Sequence, residues 1–188
     1  MTDGPVNSSI PDSAQLSALR DGIDAIDQDI QQLINKRAEL AQQVAEVKVA
    51  EARRDALAEP VFYRPEREAQ VLRKVMERNR GPLPAKQVAH IFREIMSACL
   101  ALEKPLQVAY LGPQGTFTEA AALKHFGQAA QTVAMANIDE VFTAVQRKTC
   151  TYGVIPVENS TEGMVTHTLD NFINSPLKIC GELTLPIE

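Results

Sequence analysis

An apolar stripe near the start of the chain constrains the fold more than any other feature. No proline and one glycine, Gly22, occur between Ser13 and Leu57, which predicts one helix of about 40 residues and about 60 Å. The stripe follows intervals of three and four, the heptad spacing of a helix that packs along another helix. Its members are Leu16, Leu19, Ile23, Ile26, Ile30, Leu33, Leu40, Val44 and Val47. A helix this long exceeds what two short helices of the same chain can cover, so the stripe indicates a dimer.

Arg37 occupies the stripe position between Leu33 and Leu40. Burying an unpaired cation costs several kcal/mol, so a guanidinium here needs an anionic partner. In a plain coiled coil, one polar residue of the seam can instead set the register. Lys48 lies eleven residues further on, about 20° past three full turns and about 16 Å along the axis. Two cations stacked on one helix face are typical of a clamp for an anion.

Two further ionisable residues lie on inward faces of shorter helices. A second helix is predicted from Pro65 to about Asn79, with Glu68 on the face of Val71, Leu72, Val75 and Met76. A third helix carries Val88, Ile91, Phe92, Ile95, Cys99 and Leu102 at helical spacing, and Glu103 follows Cys99 by four. Each glutamate alone could be a solvated boundary residue. Four inward charges in one small helical region favour a binding site.

The pattern changes after Lys104-Pro105 to strands alternating with helices. We expect strands at Gln107–Leu111, Thr132–Met135, Tyr152–Val157 and Lys178–Leu185, which imply a mainly parallel sheet. The intervening helices begin at caps Thr118 and Asn137 and end at Gly127 and Gln146, and a third covers 165–173. The expected organisation is a disordered tail (1–12), an all-helical domain (13–104) and an α/β lobe (105–188). Ligands of such lobes bind at the carboxyl ends of the strands.

Composition excludes several classes of protein. A net charge of −5 argues against general nucleic-acid binding, and no run of about 18 apolar residues could span a membrane. The N-terminus lacks the features of a signal peptide. Cys99, Cys150 and Cys180 have no metal or redox spacing, and their odd number argues against a disulfide framework. We therefore expect a cytoplasmic protein without metal or membrane partner.

Several motifs resemble one known family. In the first half they are Leu19-Arg20, Asn35-Lys36-Arg37-Ala38-Glu39-Leu40-Ala41, Val47-Lys48, Tyr63-Arg64-Pro65-Glu66-Arg67-Glu68 and Phe92-Arg93-Glu94-Ile95-Met96-Ser97. In the second half they are Tyr110-Leu111-Gly112-Pro113-Gln114-Gly115-Thr116-Phe117-Thr118 and Pro156-Val157-Glu158-Asn159-Ser160-Thr161-Glu162-Gly163. The first set resembles the all-helical chorismate mutases. The whole chain is similar to the start of a bifunctional chorismate mutase–prephenate dehydratase.

The resemblance implies a pericyclic rearrangement of chorismate to prephenate, which needs no cofactor, base or nucleophile. By this resemblance, Arg37 and Arg20 grip the two substrate carboxylates. Lys48 donates to the ether oxygen and also touches a carboxylate, and Glu68 accepts from the ring hydroxyl. Arg64 and Arg67 would line the rim. Arg20 lies roughly 100° around the helix from Arg37, and the family places this arginine in the partner's site, so an intertwined homodimer with shared active sites is expected.

The chain departs from the family pattern at two positions. Glu103 stands where many members have glutamine as a second donor to the ether oxygen. A carboxylate only accepts while a carboxylic acid can donate, so we expect Glu103 to be protonated, with a pKa raised by burial. Cys99 replaces a serine that can bind substrate in some relatives, and it is as readily explained by packing.

The second half matches the opening of a dehydratase that removes water and carbon dioxide from prephenate. The family's Thr-Arg-Phe motif, whose threonine is central to catalysis, does not occur in this sequence. We therefore expect a truncated dehydratase portion that is inactive. Thr116, Asn159 and Ser160 are candidate prephenate-binding residues, although helix-cap and turn roles explain them equally. The rival interpretation of the chain is a non-catalytic helical dimerisation module that carries a small-molecule-binding lobe.

Overall fold

A single long helix begins the described part of the chain. The computed structural model describes residues 13–54, 62–159 and 163–186. Helix α1 is Ser13–Arg54, 42 residues, with Arg53 and Arg54 in its last turn. Cations are favourable there because the carboxyl end of a helix carries negative partial charge. The predicted helix is thus confirmed, and the predicted tail at 1–12 lies outside the described residues.

The chain divides into two units, residues 1–40 and residues 41–188. In the first unit the apolar stripe of α1 faces solvent: the relative exposure of its side chains runs from 44% at Leu16 to 66% at Leu33. In the second unit Val44 and Val47 of the same helix are also more than half exposed, whereas Ala45 is buried. The apolar stripe of α1, as defined above, is therefore uncovered in the isolated chain.

Helices α2 (Pro65–Arg78) and α3 (Ala85–Glu103) pack against each other in the second unit. Pro65 begins α2, where the missing N–H leaves no bond unmade. The buried residues of the two helices are Leu72 and Val75 of α2 and Ala89, Ser97 and Cys99 of α3. Ile91 and Leu102 of α3 have helical spacing for the same face but are 48% and 58% exposed, because one short partner helix covers only part of a wide apolar face.

The α/β lobe contains three parallel strands in the order β2-β1-β3. The elements are β1 (Gln107–Leu111), α4 (Phe117–Phe126), β2 (Gln131–Met135), α5 (Ile138–Gln146), β3 (Tyr152–Val154), the short antiparallel pair β4 (Glu158–Asn159) and β5 (Gly163–Met164), and α6 (Thr166–Ile173). Strand β1 is central and its middle three residues are buried, as expected for a parallel strand covered on both faces.

Two apolar clusters lie on opposite faces of the sheet. Val108 of β1 packs with Ala122 and Phe126 of α4, while the next residue, Ala109, packs with residues of α5. Successive strand residues point to opposite faces, so α4 and α5 cover the two faces. Three layers, helix on sheet on helix, thereby fix the carboxyl ends of β1 and β2 at one edge.

Several predicted details of the lobe are wrong. Thr116, not Thr118, precedes α4, and its hydroxyl donates to the Leu111 carbonyl at 3.2 Å. Strand β3 ends at Val154, because Pro156 has no N–H for a ladder. The β4–β5 pair was not predicted.

The predicted strand at 178–185 is also wrong, since residues 174–186 have no regular structure. They lie beside α4 instead. The Lys124 ammonium donates to the Thr184 carbonyl at 3.4 Å, and Gly181 packs on the His125 ring. Without a neighbouring strand this segment has no ladder to join. The helix cap predicted at Asn137 is confirmed, because its side chain accepts from the Glu140 N–H.

Candidate functional site

Arg37 of α1 carries a buried guanidinium nitrogen, Nη1. Its side chain is partly buried on α1. Among the described residues no hydrogen-bond partner of Arg37 Nη1 exists. An unsatisfied buried donor costs about 1–3 kcal/mol, more when it is charged. An arginine held in this state indicates a ligand or partner that supplies an anionic acceptor.

A cleft of about 540 Å³ lies in the second unit. Its polar walls come from Gln42, Glu46 and Arg53 of α1 and from Glu103 at the end of α3, with Phe62 and Leu102 as apolar walls. The formal charges are two carboxylates against one guanidinium. Glu103 therefore borders this cleft.

Lys48 reaches the border of this cleft through one hydrogen bond. Its Nζ donates to the Phe62 carbonyl at 3.1 Å, and Phe62 is one of the lining residues. An ammonium has three donors, so this contact leaves two N–H groups for a ligand. The half-buried Lys48 is thus held by Phe62, a residue that lines the cleft.

Glu68 is held by residues outside its own helix. Arg93 Nε of α3 donates to Glu68 Oε1 at 3.3 Å, and the Glu68 side chain is only 16% exposed. Glu68 also faces Tyr63: burial first, and then the charge and hydrogen bonding of Glu68, raise the pKa of the Tyr63 phenol. The structure brings Glu68 together with Arg93 and Tyr63, and Glu68 is not among the residues that line the cleft.

The remaining predicted residues of the helical part have simpler surroundings. Arg20, Arg64 and Arg67 are exposed. Arg64 immediately precedes α2, and its carbonyl accepts from the Arg67 and Glu68 N–H groups. Cys99 is 4% exposed within the packed face of α3, which favours its packing role.

Of the candidate prephenate-binding residues in the lobe, the structure describes Thr116 and Asn159. Thr116 follows β1, and its hydroxyl bonds to the local backbone. Asn159 pairs with Gly163 in the β4–β5 ladder, and Ser160 lies outside the described residues. A small cleft of about 260 Å³ is formed instead by Gly112, Pro113, Ala134, Met135 and Ala136, at the carboxyl ends of β1 and β2.

The sequence analysis missed several site residues. Gln42, Glu46 and Arg53 recur at intervals of four and seven on α1, a second stripe beside the apolar one that periodicity could have revealed. No sequence pattern indicated Arg93 or Tyr63, because the role of each depends on contacts with residues that are distant in sequence. Across the parts of the chain that the structure describes, no cluster of three or more potential metal ligands occurs. No helix in those parts has the length and apolarity to cross a membrane.

Comparison with known proteins assigns both halves. The family model "Chorismate mutase type II" matches residues 19–104, and "Prephenate dehydratase" matches residues 108–188. A bifunctional chorismate mutase/prephenate dehydratase of Pseudomonas aeruginosa is 57% identical over 94% of this chain and 48% of its own length. The Aquifex aeolicus protein of that name is 44% identical over 92% and 47%. A solved chorismate mutase (Form II) from Thermus thermophilus is 28% identical over 48% of this chain and 94% of its own, with a TM-score of 0.43.

The two halves of the chain thus match two different enzyme families. The two matched domains occur in one chain, as the names of the bifunctional relatives indicate for those proteins. In sequence the chain corresponds to an N-terminal portion of the bifunctional chorismate mutase/prephenate dehydratases, and it spans about half the length of the curated relatives it matches.

Proposed function

We propose that the helical domain, residues 13–104, converts chorismate to prephenate. The family match of residues 19–104 supports this activity. The observation that carries the proposal is the buried Arg37 Nη1, which has no acceptor among the described residues. A substrate carboxylate supplies the missing acceptor with a charge-assisted hydrogen bond.

The reaction is intramolecular, so catalysis requires positioning and electrostatic stabilisation rather than a nucleophile. In the proposal, Arg37 and Arg20 bind the two carboxylates, and Glu68 accepts from the ring hydroxyl. Lys48 and Glu103 donate to the ether oxygen. Lys48 can do so while it keeps its bond to the Phe62 carbonyl, because its ammonium has two further donors. Arg64 and Arg67 are proposed to contact the substrate at the rim.

We further propose a homodimer in which α1 pairs with its copy and Arg20 enters the partner's site. The exposed apolar stripe of α1 supports this assembly.

For residues 105–188 we propose a lobe that binds prephenate at the carboxyl ends of β1 and β2. The match to the dehydratase family supports this ligand, and Thr116, Asn159 and Ser160 are the proposed contacts. The three free cysteines support a reducing cytoplasmic location, and both activities belong to phenylalanine biosynthesis.

The first test of the mutase compares Arg37→Ala with the wild type by the loss of chorismate absorbance. We expect kcat/KM to fall by at least about 100-fold, since truncation of a buried charged hydrogen-bonding partner costs about 3 kcal/mol or more. Lys36→Ala is the matched control, because Lys36 is an exposed cation next to Arg37. A wild type that leaves chorismate unchanged would favour the non-catalytic dimerisation module.

The second test concerns the protonation of Glu103. Glu103 is the proposed second donor to the ether oxygen, and only its neutral acid form can donate. Mutase activity should therefore fall as pH rises, and Glu103→Gln should flatten this profile because an amide donates at every pH. Glu46→Gln is the control and should retain a pH-dependent rate. An unchanged profile in Glu103→Gln contradicts the proposed donor role.

A further inference from the structure

Glu68 occupies a position that is set by two neighbours from other segments. Arg93 Nε donates to Glu68 Oε1 at 3.3 Å, and both side chains are mostly buried, at 29% and 16% exposure. The Tyr63 phenol faces the same carboxylate. Hydrogen bonds to an ionised group are about twice as strong as neutral ones. Together they restrict the rotamers that Glu68 can adopt.

Tyr63 is itself fixed by the α/β lobe. Its ring lies edge-on to Phe126 of α4 and to Tyr152 of β3, at centroid distances of 5.7 and 5.4 Å. It packs against the core cluster that includes Leu106 and Val108. A residue that precedes α2 of the helical domain is thus part of the lobe's apolar core.

Helix α3, which carries Arg93, is also attached to the lobe. Glu94 Oε2 accepts from the Gln128 N–H at 2.9 Å. One turn further along α3, Ser97 packs closely against Gly127, since a Cβ built on Gly127 would lie 2.4 Å from the Ser97 Cβ. Both partners of Glu68 therefore depend on residues of the lobe for their placement.

We propose that Tyr63 and Arg93 are positioning residues for Glu68, and that the α/β lobe thereby supports the mutase site. This inference rests on the proposed function, in which Glu68 accepts a hydrogen bond from the substrate ring hydroxyl. Neither Tyr63 nor Arg93 needs to touch substrate. The lobe holds Tyr63, and Tyr63 with Arg93 holds the carboxylate in the orientation that the hydroxyl requires.

The main test is a double-mutant cycle on kcat/KM for chorismate in the full chain. Arg93→Gln should lower kcat/KM about 10-fold, the effect of losing one charged hydrogen bond. In the Glu68→Ala background the same change should matter less than about 2-fold, because nothing is left to position. Arg93→Lys should recover most of the loss, since a single nitrogen makes the contact. Tyr63→Phe, which keeps the ring, should lower kcat/KM about 3-fold.

Arg78→Gln is the matched control for the helix contact. The Arg78 guanidinium lies over the Phe92 ring at 5.5 Å, so this change weakens the contact of α2 with α3 without touching Glu68. It should leave kcat/KM within about 2-fold. An effect of Arg93→Gln that is equal with and without Glu68, or an equal effect of Arg78→Gln, overturns the positioning role.

A matched pair of variants tests whether the lobe supports the mutase site. Tyr152→Leu removes a ring neighbour of Tyr63 and should lower kcat/KM at least about 3-fold. Phe142→Leu removes one ring of the distant Phe142–Phe172 pair, centroids 5.0 Å apart, and should have less than about 2-fold effect. Equal effects of the two variants overturn the lobe's role.

A crystal structure of Arg93→Gln gives a readout that is independent of activity. The Glu68 carboxylate should leave its observed rotamer or show two conformers, and an unmoved Glu68 contradicts the inference. If the wild type does not consume chorismate, the proposed function fails whatever the rotamer is. If the wild type is active and the cycle is additive, the inference alone fails.

Discussion

His125 shows how burial changes the pKa of a single residue. Its ring lies 4.7 Å from the Phe126 ring, with Gly181 packed on its edge. Burial lowers the pKa of His125 below its ordinary value of 6.5, while Glu68 raises it and Arg93 lowers it further. Below pH 6.5 the unfolded chain therefore binds a proton that the folded chain resists. The free energy of unfolding should fall as pH drops through this region.

Urea unfolding at pH 7.5 and pH 5.5 checks this prediction. The loss of stability between the two pH values should be smaller in His125→Gln than in the wild type. His90→Gln, which changes an exposed histidine of α3, should lose as much stability between the two pH values as the wild type does. If His125→Gln behaves in the same way, His125 has no part in the acid sensitivity.

Single residues also show where sequence analysis ends. Arg37 and Lys48 were predicted from one periodicity as equivalent inward cations. The structure distinguishes them. Lys48 Nζ donates a hydrogen bond to a backbone carbonyl, whereas Arg37 Nη1 has no acceptor among the described residues. Helical spacing predicts on which face of a helix a side chain lies. The acceptor that it meets depends on a distant residue, here Phe62.

At the scale of elements, helix α1 leaves an apolar face exposed to solvent. Its apolar stripe is exposed along the helix, with Ile23 and Ile26 each at 57%. Burial of one such side chain contributes about 1.5–3 kcal/mol. We expect the chain to be a dimer and the double variant Ile23→Asp/Ile26→Asp to be monomeric, with mutase activity lost because Arg20 no longer reaches a partner.

Light scattering measures the mass against the 20.6 kDa of one chain. Gln31→Asp adds a charge at an exposed position outside the stripe and should remain dimeric and active. A wild type that is monomeric and fully active would refute both the assembly and the shared site.

Elements with strong local signals were predicted well. Strand β1 has the predicted bounds, and α5 begins after Asn137 as its capping chemistry indicates. Residues 178–185 have strand-like composition, yet they lie beside α4 without a ladder. A strand needs a partner as well as propensity, and the sequence does not name that partner.

At the scale of the second unit, Gly127 fixes how closely α3 approaches the lobe. A Cβ built on Gly127 would lie 2.4 Å from the Ser97 Cβ, and its backbone has φ 86° and ψ 165°. Gly127→Ala therefore combines overpacking with backbone strain, each about 1–3 kcal/mol. We expect a loss of about 3 kcal/mol in the free energy of unfolding.

Denaturant unfolding with two companion variants separates these causes. Gly115 also has a positive φ, 84°, but its Cβ would meet nothing within 4 Å, so Gly115→Ala should cost only the strain. Ser97→Gly combined with Gly127→Ala should recover part of the loss, because it removes the clashing atoms. Equal costs for the two single glycine variants would show that α3 and the lobe are not tightly packed there.

The sequence by itself determined the helix lengths, the apolar stripe, the central strand and the family, because periodicity, capping residues and motifs are local. It also identified Lys48, Glu68 and Glu103 as inward residues of their helices. Only the tertiary structure decided that Glu103 and Phe62 share a cleft and that Glu68 pairs with Arg93. It alone placed Tyr63 in the core of the lobe. These contacts join residues far apart in the chain, and they depend on which surfaces meet when the elements pack.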